Sequence, residues 1–225
     1  MSRAAADWLA RALKHKPDSL LCLATGGTPT RTYDLLVAKQ RTQPGLFRRL
    51  RVLKLDEWGG LAMDDPATCE AHLQRHIVQP LRLGKRYFGF QSQPRDAEAE
   101  CIRVQHWLER NGPIDVCVLG LGVNGHLAFN EPASFLQPHA HVATLSRASL
   151  RHAMLNETSR RPKFGLTLGM ADLLQARRVL LVVSGVSKRE PVKKLLSGQI
   201  TTRFPGSLLQ LHADVTLLCD EAARA

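Results

Sequence analysis

The sequence predicts a three-layer α/β/α fold, with a mostly parallel, Rossmann-like sheet covered by helices on both faces. Three observations carry this expectation. Short runs of continuous apolar residues recur along the 225-residue chain. Amphipathic segments alternate with them. Polar clusters, several bearing glycine, follow directly on the apolar runs. Strands that read as unbroken apolar runs belong to sheets buried on both faces, and strand–helix alternation makes such sheets parallel.

The elements follow in order. Residues 4–15 place Ala5, Trp8, Leu9 and Ala12 on one helical face. LLCLA (20–24) is the first strand. It runs into Thr25-Gly26-Gly27-Thr28-Pro29, where Thr28 is expected to cap a helix whose first residue is Pro29. Tyr33, Leu36 and Val37 continue that helix. RVLKLD (51–56) is the next strand, and Pro66 opens a helix reaching about Val78. Asp96 caps a helix with Ala97, Cys101, Val104 and Leu108 on one face, stopped by Gly112-Pro113. IDVCVLG (114–120), HVATL (141–145), GLTLG (165–169), RVLLVVSG (178–185) and DVTLLCD (214–220) are further strands. Ser187 is expected to cap a last helix that ends at Gly198. No repeat or linker divides the chain, and its length fits one domain spanning 1–225.

Sites in parallel sheets lie beyond the carboxyl ends of strands, so the residues there are the informative ones. After the first strand, Gly26 and Gly27 let backbone approach an anion, at a helix N-terminus whose free N–H groups and dipole favour negative charge. Thr25 and Thr28 add hydroxyls. A capped turn with no ligand would use the same residues. After the second strand, Asp56 and Glu57 are adjacent carboxylates, costly to bury unless paired or used. One of them can serve as a general base, and an exposed loop acid is the plain alternative.

After 114–120 comes GLGVNGHLAFNEP (120–132). Gly120, Gly122 and Gly125 match G-x-G-x-x-G, but His126 and Asn130-Glu131-Pro132 interrupt the helix a dinucleotide site needs. No acid follows about 20 positions later to hold a ribose. A loop with His126, Asn124 and Glu131 is equipped instead for proton transfer. After 178–185, Lys188 stands at a helix N-terminus, an awkward place for a cation unless an anion binds there or solvent screens it. His72 and His76 have metal-ligand spacing without the H-E-x-x-H pattern, and a surface pair is expected.

The net charge of +11 comes from short basic groups, without a basic tail, and aromatics make up 5%. Nucleic-acid binding is therefore not expected. No segment reaches the ~20 apolar residues of a membrane span, and no signal peptide is evident. Cys22, Cys69, Cys101, Cys117 and Cys219 form no Cys-x-x-Cys pair, as expected of reduced thiols in a cytoplasmic protein.

Taken together, TGGTP, LDEW-G-L, LGLG-NGHLAFNEP, SG-SK and LQLH-DVTLLCDEAA resemble the glucosamine-6-phosphate deaminase/isomerase family, in its order and over nearly the whole chain. LDEW, Thr68-Cys69-Glu70, His76–Leu81 and Asn124 resemble the galactosamine-6-phosphate branch. The resemblance implies an enzyme that turns an amino-sugar 6-phosphate into a ketose 6-phosphate and ammonia, with no metal or organic cofactor. It implies that Asp56 moves the proton at C2, that His126 opens the sugar ring and that Glu131 supports it. It assigns the phosphate to Gly26, Gly27, Thr28 and Lys188.

Three departures stand out. Asn124 occupies a position where most of these deaminases carry an aspartate. His139, His141 and Ala143 lie where regulated bacterial members carry an Arg/Lys cluster, so activation by an acetylated sugar phosphate is not expected. The strand that usually precedes the first helix is missing. Rival expectations are a 6-phosphogluconolactonase-like hydrolase, whose GH loop does not run on into FNEP, and a non-catalytic sugar-phosphate sensor. The sequence chooses neither the amino-sugar epimer nor the oligomeric state.

Overall fold

The structure, a computed structural model, describes residues 1–224. Its first element is helix α1 (Ser2–His15), followed by β1 (Leu20–Leu23), α2 (Gly27–Ala38), β2 (Arg51–Lys54) and β3 (Asp56–Gly59). Then come α3 (Cys69–Leu73), β4 (Tyr87–Phe88), α4 (Ala97–Asn111) and β5 (Val116–Leu119). The chain ends with β6 (His141–Ala143), β7 (Phe164–Thr167), α5 (Met170–Leu174), β8 (Val179–Val183), α6 (Arg189–Leu195) and β9 (Val215–Cys219).

Six strands form one sheet in the order β4-β2-β1-β5-β8-β9, and every pairing in it is parallel. Successive side chains of a strand point to opposite faces. Leu21, Leu23, Val116 and Val118 accordingly pack with Leu9, Leu13, Tyr33 and Leu36 of α1 and α2. Leu20, Cys22, Cys117 and Leu119 pack with Cys101, Val104, Leu173 and Val192 of α4, α5 and α6. This is the expected three-layer arrangement. The strand order reverses between β1 and β5, which opens a crevice beyond their carboxyl ends.

Two expectations about the sheet need correction. The apolar runs at 141–145 and 165–169 do not join the parallel sheet. Their strands, β6 and β7, pair antiparallel in a second sheet of order β3-β7-β6. The run 51–56 also breaks after Lys54, and Asp56 starts β3 in that second sheet. Periodicity detects an extended segment but not its partner, and these strands are only three or four residues long. A small apolar cluster of Trp58, Leu61, Cys69, Phe129, Met154 and Leu155 underlies them.

Helix starts also moved. Gly26, not Thr28, is the N-cap of α2, and Pro29 is its third residue. The helix expected from Pro66 begins at Cys69, where Thr68 caps it by accepting the Ala71 amide at 3.1 Å. It passes into a wider π turn over Gln74–Val78. Ser187 lies inside a 3-10 turn and caps nothing; α6 begins after Lys188 and ends at Leu195. Asp96 behaves as expected, accepting the amides of Glu98 and Ala99. His72 and His76 are not a simple surface pair. His72 is half-buried 3.4 Å from the Thr30 hydroxyl, and His76 Nδ1 lies 2.8 Å from Asp34 Oδ1. All five cysteines are free, and no helix among the described residues is long and apolar enough to cross a membrane.

A buried ionic knot joins the two sheets. Lys54 Nζ, at the end of β2, donates to Glu57 at 2.7 Å and to Glu70 at 2.6 Å. The Tyr87 hydroxyl donates to Glu70 at 2.7 Å. Burial alone would lower the Lys54 pKa, but the charges of Glu57 and Glu70 outweigh it and the pKa is raised. Removing one partner of a buried pair costs about 3–5 kcal/mol. Glu57→Ala should lose stability of that order, and Tyr87→Phe only about 1 kcal/mol, measured by urea unfolding at neutral pH.

Candidate active site

The crevice between β1 and β5 holds a cleft of ≈ 440 Å³. Thr25, Gly26, Gly27, Thr28, Asp56, His126 and Lys188 all line it. Asn124 and Glu131 stand behind His126 rather than on the wall. Four separate segments of the sequence therefore meet at this cleft.

The loop after β1 is shaped by Gly26, whose φ of +104° suits glycine and strains other residues. Its carbonyl accepts the Thr30 hydroxyl at 2.8 Å. Gly26 has no side chain to cap α2, so the first N–H groups of a 12-residue helix have no side-chain cap. Those groups and the dipole make this end receptive to an anion. Lys188 reaches the same cleft from the start of α6. Its Nζ donates to the Leu121 carbonyl at 2.6 Å, and burial lowers its pKa. Thr25 turns elsewhere and donates its hydroxyl to Cys69 Sγ at 3.1 Å.

Asp56 is 8% exposed. Its pKa is raised to about 7, first by burial and then by the charge of Glu57; Lys54 and a hydrogen bond from Cys69 Sγ, 3.8 Å from Oδ1, oppose the rise. Glu57, its neighbour, is fully buried and fully engaged. It accepts the backbone amides of Trp58, Cys69 and Glu70, each at 2.8 Å, besides the Lys54 ammonium. The two adjacent carboxylates thus divide the tasks that the sequence left open: Glu57 is paired, and Asp56 faces the cleft.

Between Gly120 and Glu131 the chain folds back tightly. Gly122 N–H donates to the His126 carbonyl and Gly125 N–H to the Gly122 carbonyl, both at 3.0 Å. A Cβ on Gly122 would lie 2.5 Å from the His126 ring, so the imidazole packs where a larger residue would sit. The buried Asn130 amide donates to the carbonyls of Leu127 and Leu168, tying the loop to the end of β7. His126 Nδ1 lies 3.3 Å from Glu131 Oε2 but out of line, leaving Nδ1 without a hydrogen-bond partner.

Burial alone would raise the Glu131 pKa. The adjoining His126, with hydrogen bonds from Ser149 and Asn124, holds it at about 2. Asn124 does not hydrogen-bond the imidazole. Instead its Nδ2 donates to Glu131 Oε2 at 2.8 Å, and its Oδ1 accepts the His126 backbone amide at 3.3 Å. An amide in a seven-residue loop can reach either neighbour, and the loop's fold decides which. Ser149, Arg151, His152, Cys69 and Trp58 also border the cleft, and no motif or periodicity singles out the first three. They lie in a segment of short 3-10 turns with no periodic pattern. No group of three or more His, Cys, Asp or Glu among the described residues is arranged to hold a metal.

Parallel-sheet architecture with an anion-receptive loop, a buried acid and a histidine–glutamate pair at one cleft defines an α/β protein whose site lies at the carboxyl ends of its strands, and comparison with known proteins narrows that class. The family model of glucosamine-6-phosphate isomerases/6-phosphogluconolactonase matches residues 1–218, and the chain belongs to that family. It is 42% identical over 219 residues to a protein of Escherichia coli (strain K12) provisionally named deaminase AgaI, covering 97% of this chain and 87% of the relative. It is 39% identical over 228 residues to glucosamine-6-phosphate deaminase 1 of Bacillus subtilis (strain 168), covering 99% and 93%. A solved monomeric glucosamine-6-phosphate deaminase superposes with a TM-score of 0.94 at 38% identity, covering 99% of this chain and 93% of that one.

The raised Asp56 pKa has a consequence for stability. Between its unfolded value near 3.8 and about 7, the folded state holds more protons at Asp56 than the unfolded state. Stability from this group is therefore present below pH 3.8 and lost as pH rises through 7. Each unit of the shift corresponds to about 1.4 kcal/mol. Asp56→Asn should be more stable than the wild type at pH 8 and nearly equal to it at pH 4, compared by denaturant unfolding.

Proposed function

We propose that the chain is an amino-sugar 6-phosphate isomerase/deaminase, acting on galactosamine- or glucosamine-6-phosphate as one domain over 1–225 and working in the cytoplasm. The observation that carries this is Asp56: a buried carboxylate with a pKa near 7, in one cleft with the His126–Glu131 pair and the α2 N-terminus. The names of the family relatives support the same substrate class. Five free thiols suit a reducing compartment.

The reaction asks for three proton movements. Opening the sugar ring transfers the anomeric hydroxyl proton to the ring oxygen. His126 serves here, because one ring nitrogen can take a proton while Glu131 holds the other. The aldose-to-ketose step removes the proton from C2, adds one at carbon C1 and passes an amine proton to the C1 oxygen, so that C1 becomes an alcohol. Asp56 serves as base and then acid, since a group with a pKa near the working pH gives and takes protons with similar ease. C2 then carries nitrogen as an imine, which water hydrolyses to the ketone while ammonia leaves. Each positioned acid or base contributes typically ~10²–10⁴-fold. The phosphate, gripped by Gly26, Gly27, Thr28 and Lys188, supplies remote binding energy that holds C2 against Asp56.

Ammonia release from both amino-sugar 6-phosphates tests the activity and chooses the epimer; silence with both refutes it. Asp56→Asn should abolish deuterium exchange at C2, followed by NMR in deuterated solvent. Exchange at the wild-type rate would place the base elsewhere. Lys188→Ala should raise KM about tenfold or more while changing kcat less. Asn124→Asp should be milder than Asp56→Asn. It sets a second carboxylate 2.8 Å from Glu131, so its signature is a displaced pH–rate profile rather than lost turnover.

A further inference from the structure

We propose that His152 is a phosphate-binding residue of this cleft, with its Nε2–H donating to the substrate phosphate alongside the α2 amides and Lys188. The inference rests on reading the Gly26–Thr28 loop as the phosphate site and adds a donor that neither the sequence motifs nor the family resemblance assigned.

His152 lies on the segment of 3-10 turns after β6, yet its ring is laid directly over the loop after β1. A Cβ on Gly26 would stand 3.1 Å from both Cε1 and Nε2. The ring's other side approaches Trp58, with centroids 5.9 Å apart at 46°, and Trp58 packs in turn on Phe129 at 4.5 Å. These contacts fix the ring plane. The backbone amide of Met154 fixes the tautomer, because it donates to Nδ1 at 3.3 Å. In the neutral ring the proton is therefore on Nε2. That atom has no hydrogen-bond partner among the described residues and lies at the end of the ring nearest Gly26.

Burial lowers the His152 pKa, and the neighbouring charges of His126 and Lys188 lower it further. The ring therefore sits as a neutral donor in positive surroundings. A histidine that served only to cap a 3-10 turn would need Nδ1 alone. Here the capping atom is occupied, and the opposite nitrogen is left beside the Gly26 loop, whose helix amides also lack a side-chain partner.

The two nitrogens can be tested separately. In His152→Asn the side-chain oxygen can take the Met154 amide in place of Nδ1, but nothing reaches the position of Nε2. In His152→Gln the amide nitrogen reaches that position while the cap is lost. Binding of inorganic phosphate is measured by calorimetry at fixed ionic strength for the wild type and both variants. The Asn variant should bind phosphate about tenfold more weakly, the worth of one hydrogen bond to an ionised group, and the Gln variant should remain close to wild type. KM for the sugar phosphate should follow the same order, with kcat changing less. Unchanged phosphate affinity in the Asn variant, or equal weakening in both, would assign His152 to folding alone. A wild type that binds no phosphate would overturn this proposal together with the loop's assignment, whereas wild-type binding with an unaffected Asn variant overturns only the role of His152.

Discussion

The arrangement depends on where Glu57 puts its charge. Its side chain is inaccessible to water, and its two oxygens receive one ammonium and three backbone amides. Two of those amides are the first two of α3, so the carboxylate fastens that helix to the corner where the chain leaves the parallel sheet for the antiparallel one. Without it, Lys54 would be buried against Glu70 alone, and the first amides of α3, which set Cys69 beside Asp56, would lose their acceptor. The same charge also helps lift the Asp56 pKa. One buried carboxylate thus sets both the position and the basicity of its neighbour.

The opposite wall of the cleft is governed by close packing rather than charge. Gly122 is bare because the His126 ring occupies the volume of a side chain there, and Gly125 is bare because Phe204 does the same. Gly125 also needs a φ of +88°. His126 is thereby presented by a loop with little freedom, backed by a carboxylate whose other oxygen takes the Ser149 hydroxyl. Elements distant in sequence supply each contact, so the site exists only when the whole sheet is assembled.

Much of this was legible in the sequence. The parallel strands β1, β5 and β8 announce themselves because a strand buried on both faces must be apolar throughout. The motifs that follow these strands and β2 include every residue of the anticipated cleft. What escaped is physically of another kind. The partner of a short strand such as β6 depends on contacts across the fold, and its own three residues cannot specify them. Thr28 looked like a cap because propensity favours hydroxyls there, whereas the fold places a left-handed glycine at that point, which ends the choice two residues earlier. Lys54 lies inside the RVLKLD run, where nothing in the pattern marks its charge as buried; only the meeting of β2 with α3 reveals a buried cation. The direction in which Asn124 donates follows from the turn geometry of 122–126, which composition does not encode.

The Lys188 ammonium is already in use in the free protein. One of its hydrogens is spent on the Leu121 carbonyl, which links the start of α6 to the loop that carries His126. Two hydrogens remain for an incoming anion. The lysine therefore behaves as a guy-rope as much as a hand. The loop's ordering entropy is met during folding rather than at the moment of encounter, and binding recruits the free hydrogens without releasing the tether. On the proposed reading of the site, an arriving ligand meets a cavity that is already set, and the binding free energy of its phosphate goes into holding the reactive carbon in place rather than into organising the protein around it.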